Sequence, residues 1–150
     1  MGEKPSKIAS FVIWSELDTV RHVMNWGEFE IYTDKSSLSP VIVQYITDLS
    51  GGEFPIANPD EAYNPTDVIL SNDKRYRQKM YFILRKNNLW IMSWSRGGIG
   101  TSSGITLFEV KDKAVTRTVV AYSKEELLTP TDLKEALDSA NYFHIVDNRY

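Results

Sequence analysis

Two very short turns join four β-prone runs between residues 79 and 122 into two pairs, and this pattern restricts the fold more than any other feature of the chain. Residues 79–86 and 89–95 favour strand and flank Asn87-Asn88. Asparagine tolerates the left-handed backbone that a two-residue hairpin turn requires. If the register follows that turn, Leu84 faces Ile91 and Phe82 faces Ser93. The opposite surface then pairs Arg85 with Trp90, Ile83 with Met92, Tyr81 with Trp94 and Lys79 with Arg96. Apolar residues fall on both surfaces, as in a strand pair buried on both sides. A second hairpin is expected from residues 105–111 and 114–122 around Asp112-Lys113, with Phe108 opposite Arg117 and Glu109 opposite Thr116.

The flanking segments read as a mixture of helix and strand. Residues 8–14 are apolar and β-favouring; residues 16–26 carry helical spacing after a Ser15–Asp18 cap; residues 28–33 alternate. The run 40–49 has enough β-branched residues for a strand, but Ser39 as a cap, Pro40 at the first position and a shared face of Val41, Tyr45, Ile46 and Leu49 favour a helix. Gly51, Gly52, Pro55, Pro59 and Pro65 make residues 50–66 a long irregular connection. Ser123 with Glu126 has the form of a capping box, and Thr129, Pro130 and Asp132 begin a helix through about Ser139. Residues 142–146 are expected to add a last strand. The expected architecture is α+β, an antiparallel β-meander of about five to six strands flanked by two to three helices, in a single domain over residues 1–150.

Composition removes several function classes. With no cysteine, disulfides, thiolate metal sites and cysteine nucleophiles are excluded. The only histidines are His22 and His144, too few for a typical transition-metal site, and no cofactor is expected. No apolar run approaches the roughly 20 residues of a membrane span, so no membrane partner is expected, and the location is cytoplasmic unless a signal sequence has been trimmed. Met1-Gly2 with Ser6 matches the myristoylation pattern, but Glu3 and the lack of a polybasic cluster oppose it.

Charge is unevenly distributed. Residues 74–108 contain Lys74, Arg75, Arg77, Lys79, Arg85, Lys86 and Arg96 and no carboxylate, while the rest of the chain holds 10 basic and 20 acidic residues. Tyr76, Tyr81, Phe82, Trp90 and Trp94 are interleaved with these cations. Such a surface suits nucleic acid, with cations on phosphates and rings on bases, and equally an acidic protein or a phosphorylated ligand. The plainer alternative is a cross-strand aromatic pair under a helix, with Arg85 stacked on Trp90. The following loop, Arg96-Gly97-Gly98-Ile99-Gly100-Thr101-Ser102-Ser103-Gly104, could gather backbone N–H groups into an anion nest. It lacks the lysine and the following helix of a nucleotide-phosphate loop, and a long mobile hairpin loop explains it as well.

The catalytic candidates are sparse. Ser102 or Ser103 would need His22 or His144 as a base, and the near match to a nucleophile elbow at residues 100–104 precedes a strand rather than a helix. Asp18 and His22 lie four apart on the expected helix, which suits a stabilised surface histidine; His144 between Phe143 and Ile145 suits a half-buried one. Glu109 is the one carboxylate inside the sheet region to weigh as an acid–base group, against an ordinary solvated strand position.

In size, acidity and antiparallel α+β layout the chain resembles many inhibitor and immunity proteins that neutralise toxic enzymes, a resemblance of type that no motif carries. The leading expectation is a non-catalytic protein-binding module of that kind, its partner a protein such as a toxin or enzyme. Two surfaces compete for the contact. One comprises Tyr81, Arg85, Trp90, Trp94, Arg96, Gly97, Gly98 and Gly100; the other is the acidic C-terminal part with Glu125, Glu126, Asp132, Glu135 and Asp138, for which a solvated helix face is the favoured reading. Binding of single-stranded nucleic acid or a phosphate ligand by the basic hairpin and glycine loop is the second expectation, and a small serine hydrolase the third.

Overall fold

In the computed structural model of the chain, residues 29–65, 75–97, 101–139 and 143–145 are described. The strand expected at residues 8–14 and the helix at 16–26 lie outside them. The chain order is β1 (Glu30–Tyr32), a 3-10 turn (Lys35–Ser37), α1 (Pro40–Leu49), β2 (Ile56–Ala57), β3 (Gln78–Lys86), β4 (Leu89–Arg96), β5 (Ser102–Lys111), β6 (Ala114–Ser123), α2 (Pro130–Asp138) and β7 (Phe143–Ile145). Six of the strands form one antiparallel sheet in the order β1-β3-β4-β5-β6-β7; β2 adds a two-residue parallel pairing to β3. The α+β class and the meander are as expected.

Turn chemistry placed both hairpins. Asn87 sits at φ 55°, and Asp112 and Lys113 at 52° and 65°, so both connections use left-handed residues. The pairs Leu84–Ile91, Phe82–Ser93, Ile83–Met92 and Arg85–Trp90 are as expected from the first turn. Beyond them the register slips. Met80, not Tyr81, is opposite Trp94, which leaves Tyr81 as the extra residue of a bulge and sets Lys79 opposite Ser95 and Gln78 opposite Arg96. The second hairpin slips likewise: Val110 pairs with Val115, then Glu109 with Arg117 and Phe108 with Thr118, so Thr116 is the extra residue.

Helices cover both faces of the sheet. Ile42 and Ile46 of α1 pack with Met80, Ile83, Trp90, Met92, Trp94, Phe108 and Val120. Leu133, Ala136 and Leu137 of α2, with Leu127, pack with Phe82, Leu84, Ile91, Ile105, Leu107, Val119 and Ala121. Alternation along β4 therefore has no solvated phase: even-numbered residues meet α1 and odd-numbered ones meet the α2 side.

Caps define both helices. Ser39 accepts from the Val41 N–H with Pro40 at the first position of α1. Thr129 and Asp132 form a complete capping box on α2. The box expected at Ser123–Glu126 does not form. Ser123 ends β6 and its hydroxyl donates to the Glu125 carbonyl, while Leu127 enters the core and its carbonyl accepts from the buried Ser93 hydroxyl. That anchoring draws residues 124–128 across the sheet instead of coiling them.

The connection after α1 is an ordered strap. Besides β2, the Gln78 N–H donates to Pro55 O and the Asn64 N–H to Tyr76 O. Lys35 Nζ lies 3.1 Å from both Glu61 Oε1 and Ile56 O and 4.0 Å from the Tyr76 ring centroid. Among the described residues no helix is long and apolar enough to cross a membrane.

Candidate functional site

The residues expected to share one basic aromatic surface are dispersed. Trp94 is 0% exposed and Trp90 6%, both beneath α1, because their strand phase is that of Met92. Trp94 Nε1 donates to Thr106 Oγ1 at 2.9 Å, and its ring meets Tyr122 edge-on at 5.7 Å. These are core indoles, unable to stack on bases. Arg85 stacks on Trp90 at 4.9 Å and Arg96 on Trp94 at 4.6 Å, as the plainer alternative held for Arg85. The two arginines stand near opposite ends of the β3–β4 ladder: Arg85 is opposite Trp90, six residues along β4 from Arg96, or about 20 Å at 3.3 Å per residue. Arg85 also lies 3.7 Å from Glu30. The cations thus divide between two ends of the sheet. The Gly97 N–H donates to Arg77 O, extending the strand pairing instead of entering an anion nest; Gly98 and Gly100 lie outside the described residues.

From the expected basic aromatic surface, Tyr81 enters a polar constellation. The bulge turns it onto the α2 face, next to Phe82. There its hydroxyl lies 2.7 Å from Glu126 Oε2 and 3.0 Å from Ser95 Oγ. Ser95 in turn lies 2.7 Å from Ser103 Oγ, its cross-strand neighbour, and 3.4 Å from Glu126 Oε2. Both serines are buried, so each needs such a partner. Burial pushes the Tyr81 phenol up, and the Glu126 carboxylate adds to the rise. The Tyr63 phenol is raised by burial and then by the same carboxylate.

This network opens outward. Tyr63, Thr101, Ser103, Lys124, Glu126 and Leu128 are among the residues lining a cleft of about 570 Å³. Glu125 and Glu126 also line a neighbouring depression of about 390 Å³ with Asp132 and Glu135. Thr101 Oγ1 donates to Pro65 O, joining the end of the glycine loop to the strap.

A titration follows. Tyr81 keeps its proton in the folded chain while an unfolded phenol loses it near pH 10. The stability it contributes is therefore present below about pH 10 and is lost as pH rises toward its folded value. Absorbance at 295 nm should show a late tyrosinate step that Tyr81→Phe removes; an unchanged titration in that variant would refute the assignment.

The catalytic candidates fare differently. Ser103 reaches a carboxylate through Ser95 in place of a histidine, and a carboxylate is a weaker base than imidazole for a serine alcohol. Ser102 pairs with Arg96 in the ladder, and His144 is in register with Tyr122. His22 and Asp18 lie outside the described residues. Glu109 accepts from Thr116 Oγ1 at 2.9 Å and lies 3.7 Å from Lys111, a half-buried position near the strand end with its hydrogen bond and ion pair made. Among the described residues no group of three or more histidines and carboxylates is placed to hold a metal ion. No family model matches the chain, and neither the curated proteins nor the solved structures contain a significant match to it.

Proposed function

We propose that the chain is a non-catalytic protein-binding module whose partner presents a basic surface, an inhibitor or immunity protein for a toxic enzyme being the concrete form. The observation that carries this reading is the carboxylate face around α2. Residues 124–139 contain five acidic and two basic residues. Four of those carboxylates, Glu125, Glu126, Asp132 and Glu135, line the two adjoining depressions. Leu128, 52% exposed, stands in their rim as an apolar contact. Among the described residues no ion pair reaches these four side chains, whereas Glu30, Glu61 and Glu109 each have a cation within 4 Å. A face of one sign speeds encounter with its complement and rejects like-charged competitors.

The nucleic-acid reading has less support, since both indoles are interior and the cations are divided. The hydrolase reading finds no strong base at Ser103 among the described residues.

The test is capture from the native host, together with the product of any adjacent toxin gene, on immobilised wild-type chain and on Glu125→Lys/Glu135→Lys. A basic partner whose association rate falls about tenfold in the variant, and falls with salt in the wild type, is expected. A partner indifferent to the double reversal would overturn the reading. So would tight, salt-sensitive binding of a labelled oligonucleotide with no protein partner.

A further inference from the structure

We infer that the cleft floored by Ser103 and Glu126 is the socket for one arginine side chain of the partner, an inference that rests on the protein-binding reading above. The first ground is the fixed orientation of an exposed carboxylate. Glu126 is exposed and could satisfy both oxygens with water, yet Tyr81 and Ser95 converge on its Oε2. Among the described residues no hydrogen bond reaches Oε1. One oxygen is thus held by the sheet while the other is offered to the cleft's occupant, and a carboxylate held in advance loses little freedom on binding.

The second ground is the rest of the lining. Ser103 is more than nine-tenths buried, lines the cleft, and its hydroxyl has one hydrogen bond among the described residues, with Ser95 Oγ. A hydroxyl so placed retains acceptor capacity for an incoming N–H. Tyr63 lines the same cleft with a ring that already attracts a cation, Lys79 Nζ at 5.3 Å from its centroid. Leu128 on the rim can cover an aliphatic stem. The single cation among the lining residues is Lys124, against Glu125 and Glu126.

These acceptors are spread over a carboxylate, a hydroxyl and a ring face. A planar guanidinium with five donors and weak hydration matches that spread better than a compact ammonium, which is strongly hydrated and carries three donors. A metal ion would need more carboxylates than converge here.

The probe is N-acetyl-arginine amide, titrated into ¹⁵N-labelled protein at constant ionic strength, with N-acetyl-lysine amide in parallel. Saturable shifts are expected at the amides of Tyr63, Ser95, Ser103 and Glu126. They should weaken about tenfold in Glu126→Gln and persist in Glu53→Gln, a tenfold change being about 1.4 kcal/mol. Both variants alter exposed side chains, and a native amide spectrum confirms that each is folded. Shifts that are absent, that do not saturate, that survive Glu126→Gln, or that the lysine amide reproduces equally would overturn the socket. Because no partner is needed, that failure is separate from failure of the protein-binding reading, which the Glu125/Glu135 reversal decides.

Discussion

Replacing Trp94 by alanine should cost about 3–5 kcal/mol of folding stability, the range for deleting a large buried aromatic. The indole is enclosed between the sheet and α1, meets Tyr122 edge-on and donates its N–H to Thr106. Alanine removes the packing and also leaves the buried Thr106 hydroxyl without that donor. Trp94→Phe separates the two contributions: it keeps most of the volume and loses the hydrogen bond, so it should cost about 1–3 kcal/mol. Adding Thr106→Val to Trp94→Phe should recover part of that loss, since the stranded hydroxyl goes too. Urea unfolding followed by far-UV circular dichroism reads all three. An alanine variant as stable as the wild type would mean that the indole lies on the surface, and would restore Trp94 as a candidate for stacking on a ligand.

Gly104→Ala is expected to be nearly as damaging for the opposite reason. A Cβ at residue 104 would stand 2.3 Å from the Ala121 carbonyl oxygen, 3.0 Å from Tyr122 Cα and 3.1 Å from Trp94 Cζ2. The first two are backbone atoms of the neighbouring strand and cannot turn aside as a side-chain tip can. The glycine is needed here for close approach and not for an unusual φ. Overpacking of this kind costs about 3 kcal/mol or more, because β5 and β6 must separate or shift register to admit the methyl. The matched control is Gly52→Ala in the strap. Nothing lies within 4 Å of its added Cβ, so any loss there reflects only the φ of 108°. If Gly104→Ala unfolds at the same urea concentration as wild type, the strands are not as close as described.

Local chemistry made much of this fold readable. Asn87-Asn88 and Asp112-Lys113 fixed the two hairpins, Ser39-Pro40 favoured a helix for a run that β-branching left ambiguous, and Thr129-Pro130 with Asp132 marked α2. The bulges at Tyr81 and Thr116 were not readable, since one extra residue leaves composition and strand propensity unchanged while moving every pair beyond it. Nor did Trp90 and Trp94 announce their burial. An indole among arginines reads as an interface until a helix is known to lie over it, and α1 comes from a segment more than forty residues away.

Of the polar constellation, sequence reasoning reached Tyr81 by way of a different surface, weighed Ser103 as a nucleophile, and read Glu126 as a cap and as part of the acidic face. Tyr63 and Ser95 were missed. A usable signal was present: Ser93 and Ser95 occupy alternate positions on a strand whose other residues before Arg96 are large and apolar. Two hydroxyls buried on one face demand partners, and those partners, the Leu127 carbonyl and the Tyr81–Glu126 pair, mark where residues 124–128 cross the sheet.

The pairing of β1 with β3 joins Glu30 to Arg85 across more than fifty intervening residues, whereas two-residue turns join β3 to β4 and β5 to β6. Contacts so unequal in sequence separation form at unequal speeds, because closing a long loop costs more chain entropy than closing a hairpin. The meander should therefore assemble first as a nucleus, with β1, α1 and the strap docking afterwards. For a time the Trp94 face would lie bare, and during refolding that surface, more than any other, is where one unfinished chain would adhere to another.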